Sequence, residues 1–399
     1  MSQRIGNIGK LNLIHATEES IAEIEEIENV GIVFYRKQTS HLLNKMNIEN
    51  VGLCLEIPEG YTFVDEMIEI DESYLQSITE PVKLFAEDDV MIAESVQPEQ
   101  LRNAPVELMV AGTVYCPKHL AGAVYSLFSE GTAKVKTYEE AIFRFEKGSF
   151  ELTNGHLNAL EKPLYLVVSG KLHFSPDLDM DLYKEKLYKL EVKGLVSVFE
   201  SQEPYFYQKS DGLKGKVDVI PDGYQVADKM LRINGRSIRR FKNAKLFTKK
   251  PILLEADVTR EQLSHAFEAI HSSSIIVCQE ELEDLVYERS PLLETEVLSY
   301  KDRFIFIEGE EQWTKEQLEA LDHPAAFIVS GQLRFDDGVD AASLAHGMAS
   351  LDILGEVVIP SKSVKGELQK FVRVHHGLFR EARAGKEQKG LSNLGELTL

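Results

Sequence analysis

Cysteine is scarce in this chain of 399 residues. Its only three cysteines, Cys54, Cys116 and Cys278, lie far apart in the sequence. Three scattered thiols exclude a disulfide framework and a zinc site made of clustered cysteines. Cys116 and Cys278 end two similar apolar segments, "VYC" and "IVC". They are interpreted either as paired thiols or as small buried hydrophobic residues.

Long apolar runs are also missing. No segment approaches the roughly 18 apolar residues that a membrane-crossing helix needs. The N-terminal segment, "MSQRIGNIGKLNLIHATEES", lacks the continuous apolar core of a secretory signal, so a cytoplasmic location is predicted. The hydrophobic content of 43% and charged content of 27% are typical of a folded, soluble protein.

Basic residues are outnumbered by acidic ones. The chain has 44 Lys and Arg against 65 Asp and Glu, a formal net charge of -21. This balance argues against general nucleic-acid binding, because the phosphate backbone would be repelled. It is compatible with a local basic patch.

Motifs that carry chemistry are absent as well. The sequence has no P-loop, dinucleotide-binding glycine turn, nucleophile elbow, zinc-protease helix or C-x-x-C pair. His375 and His376 are adjacent, but no cysteine or carboxylate close in sequence completes a metal site. A carboxylate pair of the glycosidase type cannot be singled out among 65 acidic residues. No catalytic residue, cofactor or metal is therefore predicted.

What the sequence does contain is an internal repeat. "GKLNL" at Gly9, "GKLHF" at Gly170 and "GQLRF" at Gly331 are equally spaced along the chain. "IPEGY" returns as "IPDGY", and "KLFAEDDVMIAESVQPEQL" returns as "KLFTKKPILLEADVTREQL", at almost the same spacing. The repeat predicts a first copy at 9–169, a second at 170–330 and a partial third at 331–378. The polar tail, 379–399, is predicted to be flexible.

A finer period of about 20–24 residues, in the range of known repeat units, runs inside each copy. Apolar strands, many centred on a glycine, alternate with helical segments. "TREQLSHAFEAI" begins with a capping box at Thr259 and spaces Leu263, Phe267 and Ile270 like one face of a helix. "EESIAEIEEI" and "DLYKEKLYKL" are likewise predicted to be helical. The predicted fold is an α/β protein, an elongated β/α solenoid whose parallel strands form one long sheet.

In period and in the alternation of strand and helix, the chain resembles the leucine-rich-repeat class. It lacks the regular leucine pattern of that class. Asn29 and Asn50 precede their strands and are not expected to form the asparagine ladder. The resemblance implies the architecture and the habit of binding partners, and no functional residue. A (β/α)₈ barrel is the alternative, but each copy is shorter than the roughly 200–250 residues that such barrels need.

Two sets of residues are candidates for partner binding. Asn12, His173 and Arg334 each come three positions after the first glycine of a repeated pentapeptide, opposite the neighbouring leucines. They are predicted to lie on the exposed sheet face, where solenoids usually bind partners. The change from Asn to His to Arg is equally compatible with drift of a surface position.

The second set is a basic stretch, 229–250, "KMLRINGRSIRRFKNAKLFTKK", with nine Lys or Arg and no acid. The matching stretch of the first copy, 66–87, is strongly acidic. The contrast is either independent drift of solvated faces or a local basic binding site. The residues predicted to form that positive surface are Arg232, Arg236, Arg239, Arg240 and Lys242.

These patterns favour a non-enzymatic interaction scaffold that binds a protein partner, including a second copy of itself. The alternatives are a carbohydrate-active or other hydrolytic enzyme that uses surface carboxylates, and a self-assembling structural protein. The first strand also needs protection, because an open sheet edge recruits other chains. Either another segment caps that strand or the molecules associate end to end.

Overall fold

The computed structural model of the chain describes residues 3–128, 133–381 and 391–399. The chain divides into two compact units. The first unit comprises Met1–Val196, Tyr205–Val217 and Glu387–Leu399, and the second comprises Ser197–Pro204 and Asp218–Lys386. No helix in the described part of the chain has the length and apolar character of a membrane span.

The strands alternate with short helices along the chain. The first fourteen strands are β1 (Gln3–Asn12), β2 (Ile24–Tyr35), β3 (Ile48–Glu56), β4 (Thr62–Val64), β5 (Ile68–Ile70), β6 (Val82–Ala86), β7 (Val90–Ile92), β8 (Val106–Val110), β9 (Thr113–Pro117), β10 (Lys134–Tyr138), β11 (Ile142–Leu152), β12 (Leu164–Phe174), β13 (Leu187–Phe199) and β14 (Ser210–Ile220). The remaining strands are β15 (Gln225–Ala227), β16 (Leu231–Ile233), β17 (Ala244–Thr248), β18 (Ile252–Leu254), β19 (Phe267–Ser272), β20 (Ile275–Gln279), β21 (Glu296–Tyr300), β22 (Phe304–Ile307), β23 (Glu310–Trp313), β24 (Ala325–Val329), β25 (Gln332–Phe335), β26 (Met348–Ile353), β27 (Glu356–Ile359), β28 (Val372–His375), β29 (Leu378–Glu381) and β30 (Leu391–Thr398).

The helices in the described residues are all short, two turns or fewer. They are α1 (Glu18–Ile21), α2 (Ser40–Leu43), α3 (Glu72–Ser77), α4 (Pro98–Asn103), α5 (Ala121–Val124), α6 (Asn154–Asn158), α7 (Met180–Lys186), α8 (Glu203–Lys209), α9 (Arg260–Ala266), α10 (Glu283–Arg289), α11 (Lys315–Glu319), α12 (Ala341–Gly347) and α13 (Lys362–Leu368). Single turns of 3₁₀-helix occur at Lys118–Leu120, Tyr125–Leu127, Ser237–Arg240 and Glu280–Leu282.

Within the described residues the strands form eight small, all-parallel sheets, so the prediction of one long sheet was wrong. Four sheets have the orders β3-β2-β1-β30, β4-β6-β8, β10-β9-β7-β5 and β11-β12-β13-β14. The other four have the orders β15-β17-β19, β16-β18-β20-β21, β22-β24-β26-β28 and β23-β25-β27-β29. No sheet in the described residues closes into the alternative barrel.

A repeated tight turn explains two of the sheet boundaries. After β3 and after β14 the chain reads "IPEGY" and "IPDGY". Gly60 and Gly223 have φ of 85° and 82°, which an L side chain rarely adopts. The N–H groups of Tyr61 and Tyr224 close the turns onto the carbonyls of the preceding prolines, each at 3.3 Å. No helix intervenes, so the next strand does not return beside the preceding one.

The strand registers confirm the predicted short period. Ile5 pairs with Ile27, and Leu231 pairs with Ile252. Each partner lies one predicted period further along the chain. The same spacing holds for the strands of the partial third copy, where β26 pairs with β28. These paired strands are therefore one short period apart in the sequence.

Glycines stack where long strands approach closely. A Cβ at Gly31 would lie 2.6 Å from the carbonyl oxygen of Gly9, and one at Gly9 would lie 2.6 Å from that of Gly395. Gly170 in β12 approaches the carbonyl oxygen of Gly148 in β11 in the same way, and Gly331, between β24 and β25, approaches that of Gly309, between β22 and β23. The glycines that open the repeated pentapeptides thus occupy equivalent places in three glycine rows, because only glycine fits between the backbones.

The two copies have matching elements, as the repeat predicts. In 83–101 the order is β6, β7 and α4, and in the equivalent 245–263 it is β17, β18 and α9. Their interiors match as well. One core cluster contains Ile70, Ile92, Leu101, Val114 and Cys116, and another contains the equivalent Ile233, Leu254, Leu263, Ile276 and Cys278.

Several helices are shorter than their apolar spacing predicts. α9 ends at Ala266, and Phe267 already begins β19, which pairs with β17. The other two predicted helices also give way to strands, β2 from Ile24 and β13 from Leu187. At such junctions, a helical spacing of apolar residues also fits a short helix followed directly by a strand. Pairing with the neighbouring strand favours the strand over a longer helix. The predicted capping box at Thr259 is confirmed.

The C-terminal segment corrects a prediction. Residues 391–398, assigned to a flexible tail, form β30, which pairs in parallel with β1 and caps that edge. Residues 382–390 of the predicted tail lie outside the described residues. "NLGEL" in β30 matches "NIGKL" in β1, and Asn7 is in register with Asn393.

The expectation that no asparagine ladder forms was also wrong. The Nδ2 of Asn50 donates to the Oδ1 of Asn29 at 3.0 Å, and the Nδ2 of Asn29 donates to the Oδ1 of Asn7 at 2.9 Å. The three asparagines are in register on β3, β2 and β1. Side chains of the same type at equivalent places in stacked strands meet directly, so the row follows from the parallel register.

Candidate functional site

The basic stretch of the second unit is built around a short turn. Asn234 follows β16, and its Oδ1 accepts the N–H groups of Arg236 at 3.0 Å and Ser237 at 2.8 Å. These hydrogen bonds hold the loop that leads into the 3₁₀ turn Ser237–Arg240. Ile238 is buried in the core below the turn, so the flanking Arg239 is directed to solvent.

Four exposed cations lie on and beside this turn: Arg236, Arg239, Arg240 and Lys242. We call them the basic surface. Within the part of the chain that the structure describes, none of the four has an ion-pair partner. The guanidinium of Arg240 lies 5.3 Å from the ring centre of Phe241. The positive charge of the basic surface is therefore not neutralised by direct pairing with the chain's own carboxylates.

Arg232, the fifth predicted cation, differs from these four. It lies on β16, where its side chain forms an ion pair with Glu255. Its guanidinium also lies 5.7 Å from the ring centre of Phe304. Sequence alone did not predict this pairing, because Glu255 lies on the next repeat of the chain. Arg232 contributes little net charge to the site.

An open pocket of about 410 Å³ adjoins the basic surface. We call it the turn pocket. Ile238, Phe241 and Ala266 supply apolar walls, and Arg239, Lys242, Asn243, Gln262 and His265 supply polar ones. Such a pocket suits a ligand group that is apolar in its body and negatively charged at its edge.

Backbone contacts hold the walls of the turn pocket together. The N–H of Asn243 donates to the carbonyl of His265 at 2.8 Å, and Asn243 has a φ of 48°. The side-chain amide of Gln262 donates to the carbonyl of Gly235 at 3.0 Å. Glu268 is a nearby acid, and it is engaged by Lys245 and Asn243, each at 3.2 Å. It is thus not free to neutralise the basic surface.

The same elements of the first copy have the opposite charge. Glu66, Glu69 and Glu72 are exposed, and Asp71 caps α3 through the N–H of Tyr74. The side-chain amide of Gln100, in the neighbouring helix α4, donates to Glu72 at 3.3 Å. Gln100 is equivalent to Gln262 of the second copy. The fold of this region is thus maintained while the charge of its surface is reversed.

The other predicted binding residues are not brought together. Asn12, His173 and Arg334 lie on β1, β12 and β25, which belong to three different sheets. Each is half-buried, and the residues on either side are buried. Leu172 beside His173 is fully buried, as expected from the assigned faces. The Oδ1 of Asn12 accepts the N–H of Ile14 at 3.0 Å, a local structural role.

A second pocket of about 360 Å³ lies at the bends between paired strands of the second unit. We call it the corner pocket. The Nε2 of His376 lies 3.4 Å from the Oε1 of Glu296. His376 thus does have a carboxylate neighbour, one that is distant in the sequence. The polar lining includes Glu294, Glu296, His376 and three serines, Ser273, Ser274 and Ser330.

Sequence reasoning missed several buried acids, among them two at equivalent places in the repeat. Glu191 in β13 accepts hydrogen bonds from Tyr115 at 3.1 Å and from Tyr165, and it pairs with Lys136. Burial raises the pKa of both tyrosine hydroxyls, and the neighbouring Glu191 carboxylate adds to that rise. A carboxylate with this many donors fits a structural role.

Asp352 in β26 is a buried acid at the place in the partial third copy that Glu191 occupies in the second. It is fully buried and forms an ion pair with Arg373. Arg373 also donates to the carbonyl of Ser299 at 2.7 Å. The one sequence signal for both acids was an acidic residue inside an otherwise apolar strand.

Two of the three cysteines behave as buried hydrophobic residues. Cys116 and Cys278 are free and buried, and burial raises the pKa of their thiols to about 11 and about 12. The third, Cys54, is exposed. Among the described residues, no group of three or more His, Cys, Asp or Glu is arranged to hold a metal ion.

No family model, no curated protein and no solved structure matches this chain.

Proposed function

We propose that this protein is a non-enzymatic interaction scaffold whose basic surface binds an acidic region of a protein partner. In this proposal the small parallel sheets are successive parts of an elongated β/α solenoid, with two copies of the repeat and part of a third. The solenoid supplies rigid, repeated strands, and partner binding takes place at the loops and turns that the strands position.

The observation that carries the proposal is the set of unpaired cations in an acidic chain. Many exposed cations elsewhere have carboxylate neighbours, such as Arg260 with Asp284 at 2.6 Å and Lys118 with Glu139 at 2.6 Å. The basic surface has four exposed cations and no such neighbour among the described residues. An acidic partner supplies the missing countercharge and is steered toward the surface at low salt.

The turn pocket adds an apolar component to this recognition. Charged rims mainly control the rate and specificity of association, whereas buried apolar anchors supply most of the binding energy. Phe241 and Ile238 line a pocket large enough for one aliphatic or aromatic side chain. The expected partner segment therefore combines acidic residues with one apolar anchor.

A peptide-binding measurement tests the proposal. The probe is a fluorescein-labelled synthetic peptide of glutamates around a single leucine, followed by fluorescence anisotropy against the full chain. Binding is expected to weaken with added salt, as the Debye length falls from about 10 Å at 0.1 M to about 3 Å at 1 M. It is expected to be lost in the variant Arg236→Glu, Arg239→Glu, Arg240→Glu.

The control variant makes an equal change of charge elsewhere. Lys171, Lys214 and Lys216 are exposed and have no ion-pair partner in the described chain. The variant Lys171→Glu, Lys214→Glu, Lys216→Glu should bind the peptide like the parent. Equal loss of peptide binding in both triple variants would indicate a general charge effect. Unchanged peptide binding in both would contradict the proposed site.

The alternative proposal is a hydrolytic enzyme, and the corner pocket is the observation that favours it. Glu294, Glu296 and His376 meet in one concave site, as a carboxylate-based hydrolase requires. A panel of nitrophenyl glycosides and esters tests this alternative. Release of nitrophenol by the parent that disappears in Glu294→Gln and Glu296→Gln would favour the enzyme. Absence of turnover across the panel would favour the scaffold proposal.

A further inference from the structure

An exposed leucine projects from the loop that follows α10. In this loop, "SPLLET" at 290–295, Leu293 is 102% exposed, the highest value among the exposed large apolar residues. Both ends of the loop are anchored. Ser290 donates its N–H to the carbonyl of Tyr287 at 3.2 Å, and the buried Thr295 donates its hydroxyl to the carbonyl of Ser272. Leu293 is thus presented by a tethered loop.

Acidic residues flank this leucine. Glu288 lies on the last turn of α10, and Glu294 directly follows Leu293; both are exposed. Neither forms a direct ion pair among the described residues. An exposed leucine followed directly by an exposed carboxylate, with a second exposed carboxylate five positions before it, is the chemistry that the turn pocket and the basic surface would accept.

The loop and the turn pocket lie at the same edge of the second unit. Arg289, the last residue of α10, extends its Nη2 to within 3.4 Å of the Oγ of Ser264. Ser264 precedes His265, which lines the turn pocket. The loop that carries Leu293 therefore begins beside a wall of the pocket, while Leu293 itself remains fully exposed.

We infer that two copies of this chain associate about a two-fold axis, with Leu293 of each copy in the turn pocket of the other. One patch that carries both a protruding group and the complementary pocket can bind itself reciprocally, which gives a closed dimer. In that arrangement Glu288 and Glu294 of one copy face Arg239 and Lys242 of the other. The inference rests on the proposed function, since it names a second copy as the partner of the same site.

Sedimentation velocity of the full chain over a range of concentrations tests the inference. The parent is expected to dimerise, and more weakly at high salt. Leu293→Asp should weaken dimerisation by about tenfold or more, because a buried anchor is replaced by a charge. Leu378→Asp is the matched control, since Leu378 is 55% exposed on β29 and lies outside the loop and pocket. It should dimerise like the parent.

A mixing experiment distinguishes reciprocal insertion from other contacts. The variant Arg239→Glu, Lys242→Glu removes the positive rim and should be monomeric. The control Lys214→Glu, Lys216→Glu should dimerise. Mixing the rim variant with Leu293→Asp leaves one intact contact, Leu293 of the first variant in the unaltered pocket of the second. A weak heterodimer is therefore expected in the mixture, although neither variant dimerises alone.

Two outcomes would overturn the inference. One is a parent chain that stays monomeric at every concentration, and the other is a Leu293→Asp variant that dimerises as well as the parent. The glutamate–leucine peptide separates this failure from that of the scaffold proposal. If the peptide binds a monomeric parent and not the Arg236, Arg239, Arg240 variant, the site binds acidic partners and only self-association is wrong. If the peptide also fails to bind, both proposals fail.

Discussion

Residues 66–87 and 229–250 have equivalent strands but opposite surface charge, and the helix α3 of the first stretch is replaced by the 3₁₀ turn Ser237–Arg240 in the second. Leu84 and Leu246 are equivalent and both buried, whereas the exposed Glu69 is replaced by the exposed Arg232. The comparison shows which positions specify the fold. Buried positions keep their character between the copies because the core must be filled, and exposed positions are free to acquire different partners.

Buried acids at equivalent places in the repeat differ in the number of their hydrogen-bond donors. Glu191 and Asp352 are both buried acids, but Glu191 has three side-chain donors. Asp352 has one in the described part of the chain, Arg373. Both copies thus have an acid at this place, but different side chains donate to it. The number of donors decides how costly it is to remove one of them.

The largest effect is expected at the Asp352 site. Arg373→Met leaves a fully buried carboxylate without its partner and should lower the free energy of unfolding by about 3–5 kcal/mol. The control is Arg380→Met on β29, the next strand along the chain, whose more exposed pair with Glu356 should be worth about 0–1 kcal/mol. Urea denaturation measures both, and equal effects would contradict the assigned burial.

Lys136→Met makes the corresponding change at Glu191. Tyr115 and Tyr165 still donate to the carboxylate, so the loss should be smaller, about 1–3 kcal/mol. The double variant Tyr165→Phe, Lys136→Met removes two donors and should approach the effect of Arg373→Met in the same denaturation experiment. A single Lys136→Met variant as unstable as Arg373→Met would show that the hydroxyls do not compensate.

Leu84→Ala and Leu246→Ala test whether the two copies have equivalent cores. Each leucine is buried on the strand that opens the longest repeated segment. Each change should cost about 2–5 kcal/mol, as is usual for buried leucines. Thermal unfolding of the two variants should therefore differ little, and a large cost in only one copy would break the equivalence.

The glycine rows give a smaller effect with a close control. Gly31→Ala places a methyl group 2.6 Å from the carbonyl oxygen of Gly9, and such overpacking should cost about 1–3 kcal/mol. Gly395→Ala, at the outer edge of the same row, meets no atom within 4 Å and should be nearly neutral. Urea denaturation compares the two variants. Comparable losses of unfolding free energy would mean that lack of space is not the reason for glycine in these rows.

Much of this fold could be predicted from the sequence. The constant spacing of the repeated segments identified equivalent elements, and the capping box at Thr259 marked a helix start. These signals are local or repeated, so they need no knowledge of packing. The division into eight sheets was not predicted, because the glycine turns after β3 and β14 were recognised only as similar sequences.

The site was harder to predict than the fold. The basic stretch was identified from its composition, but the separation of Arg232 from the basic surface depends on Glu255, which only the strand pairing brings near. The corner pocket joins Glu294 to His376 through three-dimensional proximity alone. The strand β30 had a signal in the sequence, "NLGEL" against "NIGKL", but one short match inside a polar tail does not by itself predict a strand.

The smallest effects are expected where the two copies differ most. The variant Arg236→Glu, Arg239→Glu, Arg240→Glu should unfold at nearly the parental temperature, because exposed charges contribute about 0–1 kcal/mol per pair and these arginines have no ion-pair partner in the described chain. The reverse change, Glu66→Lys, Glu69→Lys, Glu72→Lys, should lower the free energy of unfolding slightly more. Glu72 accepts hydrogen bonds from Gln76 at 3.1 Å and Gln100 at 3.3 Å, whereas Gln262 in the second copy donates to a backbone carbonyl that no side-chain change removes. Calorimetry of both variants measures this difference, and an arginine variant that is the less stable of the two would show that the basic surface supports the fold.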